Sequence, residues 1–91
     1  MLGKRNPLRA LLNKIIWDSR FNPEEYEVIY VSRGALGDVE KISADKIIKV
    51  WSRGFDAAVS GKTRYIPFHR IVEIKNTKTG EVLFRSKKYS C

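Results

Sequence analysis

Cysteine and histidine are nearly absent from this chain, which has one of each, Cys91 and His69. A lone cysteine forms no internal disulfide and points to a reducing, cytoplasmic setting. The pair supplies no zinc cluster, and no metal or cofactor is expected. Long apolar runs are lacking too. Unbroken stretches last a few residues, against the roughly 20 that a membrane-spanning helix needs. Arg9, Asn13 and Lys14 interrupt any signal-peptide core near the start, so no membrane association is expected. Repeats, low-complexity tracts and long linkers are also missing. The 91 residues therefore read as one domain. Its core is expected at about residues 7–86, with 87–91 as a flexible basic tail.

Acidic residues are scarce and unevenly placed. The 18 Lys and Arg outweigh 10 Asp and Glu, giving +8 and a pI near 9.9. Half of the acids fall in residues 21–40, where Arg33 is the only base against Glu24, Glu25, Glu27, Asp38 and Glu40. The other segments are all net basic. A small domain with this balance suits a polyanion, nucleic acid before anionic membrane. A merely solubilising surface is the alternative.

Asn6-Pro7 is a helix start, and Leu8, Leu11, Leu12, Ile15 and Ile16 then form one apolar stripe. The spacing predicts a helix over 7–17 with that stripe in the core. Asn22-Pro23-Glu24-Glu25 reads as a capped single turn. Tyr26 to Val31 reads as a strand, 33–38 as a glycine-bearing loop and Val39 to Ile42 as a second strand. Residues 43–60 fit either a helix capped by Ser43 or strands at 47–51 and 55–59, and β-branched content favours strands. Ser60-Gly61-Lys62 marks a turn, and 65–75 is extended with a bend or edge at Pro67. Asn76 to Gly80 closes a hairpin onto a last strand, 81–85. The expected fold is α+β, with an N-terminal amphipathic helix packed on a curved, mainly antiparallel β-sheet or partial barrel.

Two apparent motifs fail. Gly61-Lys62-Thr63 ends like a phosphate-cradling P-loop, but Asp56 stands where that motif needs glycine. Glu24, Glu25 and Glu27 read as a solvated face, not a cation site. His69-Arg70 is more informative, because imidazole can donate to one phosphate oxygen while guanidinium grips two. A regular strand would put the two side chains on opposite faces, so a shared ligand requires a bend near Pro67. Without one, Arg70 points coreward and needs an acid such as Asp38 or Asp45. Arg33 and Arg85, near strand ends, complete a possible phosphate rim. Of Tyr26, Tyr30, Trp51, Phe55, Tyr65 and Phe84, most must be core, leaving one or two to stack on bases.

The stretch Tyr26-Glu-Val-Ile-Tyr-Val-Ser-Arg-Gly-Ala-Leu-Gly-Asp38, followed by Tyr65-Ile-Pro-Phe-His-Arg-Ile-Val-Glu-Ile74, resembles a family of small archaeal domains. These are proposed to recognise RNA ends bearing cyclic phosphates, and the resemblance covers about Leu8 to Arg85. It implies RNA binding at Arg33, His69, Arg70 and Arg85, by a module that does no catalysis. Single-stranded RNA or its 3′ end would be the ligand, in RNA processing or repair. Two other classes stay open: a ribonuclease or cyclic phosphodiesterase using His69, and an adaptor docking on an RNA-modifying enzyme. A ribonuclease would need a second tuned acid–base group beside the single histidine.

Overall fold

The computed structural model describes residues 7–31 and 39–86. Helix α1 spans Pro7–Trp17. After a 3₁₀ turn at Pro23–Glu25 come β1 (Tyr26–Val31), β2 (Val39–Ser43), a 3₁₀ turn at Ala44–Lys46, β3 (Ile47–Val50) and β4 (Gly54–Val59). Then follow β5 (Lys62–Pro67), a 3₁₀ turn at Phe68–Arg70, β6 (Ile71–Asn76) and β7 (Val82–Arg85). The helix matches its predicted span because the stripe does what an amphipathic stripe must. Leu8, Leu12 and Ile15 are buried, and Leu11 and Ile16 pack at the margin. The expected Asn6 cap lies outside the described residues, as do the expected loop at 33–38 and the expected tail at 87–91.

Residues 47–59 resolve as strands. Ser43 does stand at the start of a helical turn, but a single one, Ala44–Lys46, and its side chain makes no capping bond. Asn22 behaves as its residue type dictates, its side-chain oxygen accepting from the Glu24 N–H at 3.1 Å. The two-residue turn Ser60-Gly61 has φ of 53° and 78°, the left-handed pair that matches hairpin twist.

The expected single curved sheet is corrected. The strands form two antiparallel sheets, ordered β2-β1-β6-β7 and β3-β4-β5, and the described strands close no barrel. The cause is local. Short 3₁₀ turns after Ser43 and after Pro67 swing the chain from one sheet to the other, so β2 does not pair with β3, nor β5 with β6. Between the sheets and α1 lies the core of Val28, Tyr30, Ala44, Phe55, Ala57, Ile66, Phe68, Ile71 and Ile74, with the helix stripe against it. A register shift between Ile29 and Tyr30 in the β1–β6 pairing sets Tyr30 opposite Ile71, inside that core.

This arrangement makes unequal demands on the helix residues. Leu12 is fully buried, so Leu12→Ala should cost about 2–5 kcal/mol of folding stability. Trp17 is 76% exposed, and Trp17→Ala should stay within about 0.5 kcal/mol of the parent. Urea denaturation of both variants checks the contrast.

Candidate nucleic-acid interface

The break in the chain after Pro67 decides where the basic residues go. Phe68 opens a 3₁₀ turn with its side chain in the core, and its N–H donates to Arg53 O at 2.9 Å. The bend that His69 and Arg70 require is therefore present, as a helical turn between two strands. Arg70 closes that turn and lines a recess of about 50 Å³. At roughly 10–15 Å³ per water, that admits a few waters or one phosphate-sized group. Tyr30 and Val31 of β1 form one wall. Arg64, Tyr65, Ile66 and Pro67 of β5 form the other.

Arg64 arrives by register. It pairs with Ala57, whose side chain is core, so Arg64 leaves on the inner side of β5. Because β5 is an edge strand, the long side chain escapes to solvent over the rim. Two guanidinium-bearing residues thus share one small recess. The Tyr30 hydroxyl donates to Glu40 Oε1 at 3.0 Å. Burial pushes the Tyr30 phenol above its ordinary range, the Glu40 hydrogen bond and charge push the same way, and Arg64 opposes them.

The sequence-predicted residues separate. Arg70 lines the recess. His69, in the middle of the same turn, is exposed and is not among the lining residues. Arg85 is elsewhere, on β7, its Nη2 3.4 Å from Glu73 Oε2 in a solvent-exposed pair worth at most about 1 kcal/mol. Arg33 lies outside the described residues; Val31, two positions before it in sequence, lines the recess. Asp38 is likewise outside them, and Asp45 is exposed on the Ala44–Lys46 turn. Arg64 went unnoticed in the sequence. Its signal was the hairpin register fixed by Ser60-Gly61, which sets residue 64 opposite a core alanine. The aromatics sort as a small core demands: Phe55 and Tyr30 are buried, Tyr26 and Phe84 pack against the core, and Trp51 and Tyr65 are exposed.

Among the described residues no group of three or more His, Cys, Asp or Glu is placed to hold a metal ion. Glu25 instead lies 3.4 Å from Lys78 Nζ. No helix among them is long and apolar enough to cross a membrane.

Fold and recess together define a small basic α+β domain with an anion-sized arginine recess where two sheets meet. The chain belongs to the family of the MJ1316 RNA cyclic group end recognition domain, whose model matches residues 6–85. A UPF0248 protein of Methanococcus maripaludis is 38% identical over 80 residues, covering 88% of this chain and 99% of the relative. UPF0248 proteins of Methanocaldococcus jannaschii and Pyrobaculum aerophilum are each 38% identical, over 85 and 81 residues. They cover 88% and 89% of this chain, and 94% and 100% of their own lengths. No solved structure matches the chain.

The recess makes a pH prediction. The Tyr30 pKa is raised on folding, so its contribution to stability is fully present below about pH 10 and is lost as pH rises from there through the folded value. Subtracting the alkaline absorbance titration of Tyr30→Phe from that of the parent should isolate one late-ionising phenol. Glu40→Gln should move that phenol back toward its ordinary range.

Proposed function

We propose that this protein is an RNA-end recognition module that takes the terminal phosphate of a single strand into the recess between Arg64 and Arg70. One observation carries the reading: two arginines from different elements line one recess of about 50 Å³, with room for a phosphate-sized group. The family name, RNA cyclic group end recognition domain, supports RNA as the ligand and a 2′,3′-cyclic phosphate as the preferred end. Guanidinium forks match phosphate oxygens in pairs, which fixes orientation as well as charge. His69, next to Arg70 and exposed, is assigned a donor role at the rim, and Arg33 a place in the same contact. Arg85, already engaged by Glu73, is assigned to general backbone binding. The module does no chemistry itself. It holds an end for a separate RNA-processing enzyme.

The test is a binding panel of one RNA with 3′-hydroxyl, 3′-phosphate and 2′,3′-cyclic phosphate ends, at two salt concentrations. Affinity for all three should fall as salt rises, through released counterions. The cyclic end should bind tightest. Arg70→Ala and Arg64→Ala should each cost that end about 1–3 kcal/mol, the scale of a hydrogen bond to a charged group, and leave the other ends nearly unchanged. A folded Arg70→Ala protein that keeps the full end preference refutes the recess as the site.

A further inference from the structure

The outward face of the three-stranded sheet carries two large aromatics in solvent, Trp51 at 43% and Tyr65 at 52% exposure. Neither hangs loose. The Trp51 indole Nε1–H donates to Asp56 Oδ2 at 3.0 Å, and Lys49 Nζ stands 4.3 Å from the ring centroid. Tyr65 lies against Gly54. A β-carbon at position 54 would stand 2.6 Å from Tyr65 Cζ and 2.7 Å from Ile66 O, so only glycine lets the ring approach the strand. Gly54 opens β4, and its lack of a side chain marks that close approach.

Register puts the two aromatic residues on the same face of the sheet. Lys49, Asp56 and Tyr65 form one row across β3, β4 and β5. The Trp51 N–H donates to Gly54 O at 2.7 Å, so Trp51, Gly54 and Pro67 make the next row on the same face. The Tyr65 ring, leaning over Gly54, is thus carried toward the strand of Trp51, to within about one strand spacing of roughly 4.8 Å. Arg53, in the β3–β4 turn, is exposed beside them. Tyr65 also lines the arginine recess, so platform and recess share a residue. Lys49 lies over one face of the Trp51 ring, and aromatics fixed in solvent beside cations complement a strand of stacked bases and phosphates.

We propose that this face is a stacking platform for the single-stranded RNA leading to the bound end. Tyr65 takes the terminal base, Trp51 takes the base before it, and Lys49 and Arg53 meet the phosphates between. The proposal rests on the reading of RNA as ligand and deepens it by giving the strand a path. Stacking tolerates any base, so the platform adds affinity without sequence preference.

In a Trp17→Phe background Trp51 is the only tryptophan, and saturating oligonucleotide should quench its fluorescence. Trp51→Leu should weaken binding roughly 5- to 150-fold for all three end chemistries and keep their order. Trp51→Phe should retain most of the affinity. RNA with abasic riboses at its last two positions should bind the parent protein more weakly by a similar or larger factor, and Trp51→Leu should lose little more on that RNA. If Trp51→Leu fails to fold by circular dichroism, the abasic RNA on the parent protein decides alone. Unquenched fluorescence with parent-like binding of the abasic RNA overturns the platform. Should end preference hold while Trp51→Leu is neutral, the platform is wrong and the recess reading survives. Should all ends bind alike while Trp51→Leu and the abasic RNA both weaken binding, the platform stands and the recess reading fails.

Discussion

The burial of Phe68 positions both the recess and the exposed face that carries Trp51 and Tyr65. Its side chain is in the core, its N–H is satisfied by Arg53 O, and its carbonyl accepts from the Ile71 N–H to close the turn. Pro67 precedes it at φ −66° and has no N–H to donate, so β5 ends there opposite Gly54. The three strands just before this point, β3 to β5, belong to the three-stranded sheet, and β6 and β7 after it belong to the four-stranded sheet. Arg70 emerges at the join because a 3₁₀ turn advances the chain by a whole turn in three residues. Tyr65 and Arg64, on alternate faces of β5, are aimed by the same endpoint.

The device occurs twice. Ala44–Lys46 repeats it between β2 and β3, again with a buried first residue and again closed by an isoleucine N–H, that of Ile47 to Ala44 O. Alanine at one corner and phenylalanine at the other leave unequal space, and α1 packs on the alanine side, against β3 and the Ala44–Lys46 turn. Burying Leu12 and Ile15 there supplies about 1.5–3 kcal/mol each, which fastens the corner that does not line the recess. The phenylalanine corner stays open to solvent on its far side, where His69 is exposed.

Local chemistry was legible in the sequence. Helix α1 was readable from its stripe, β1 from its β-branched and aromatic run, and the Ser60-Gly61 turn from its residues, because each depends on neighbours within a few positions. The division into two sheets was not legible. It depends on β1 pairing with β6, from Tyr26 opposite Asn76 to Tyr30 opposite Ile71, across more than forty residues. The candidate site followed the same divide. Arg70 was found because it adjoins a proline bend. Arg64 was missed because only cross-strand register brings it to the rim, and Arg85 drew attention by position although Glu73 engages it.

Charge at the recess bears on which end it suits. Two arginines alone would favour the more highly charged ligand, a terminal monoester near −1.5 to −2 over a cyclic diester at −1. The Glu40 carboxylate, held by the Tyr30 hydroxyl at 3.0 Å, puts a negative charge at the same wall. That charge opposes an anion in proportion to the anion's own charge, so it weighs about twice as heavily against a dianion as against a monoanion. On the proposed reading, then, the Tyr30–Glu40 pair shifts preference toward the cyclic end, against the pull of the arginines toward the dianion.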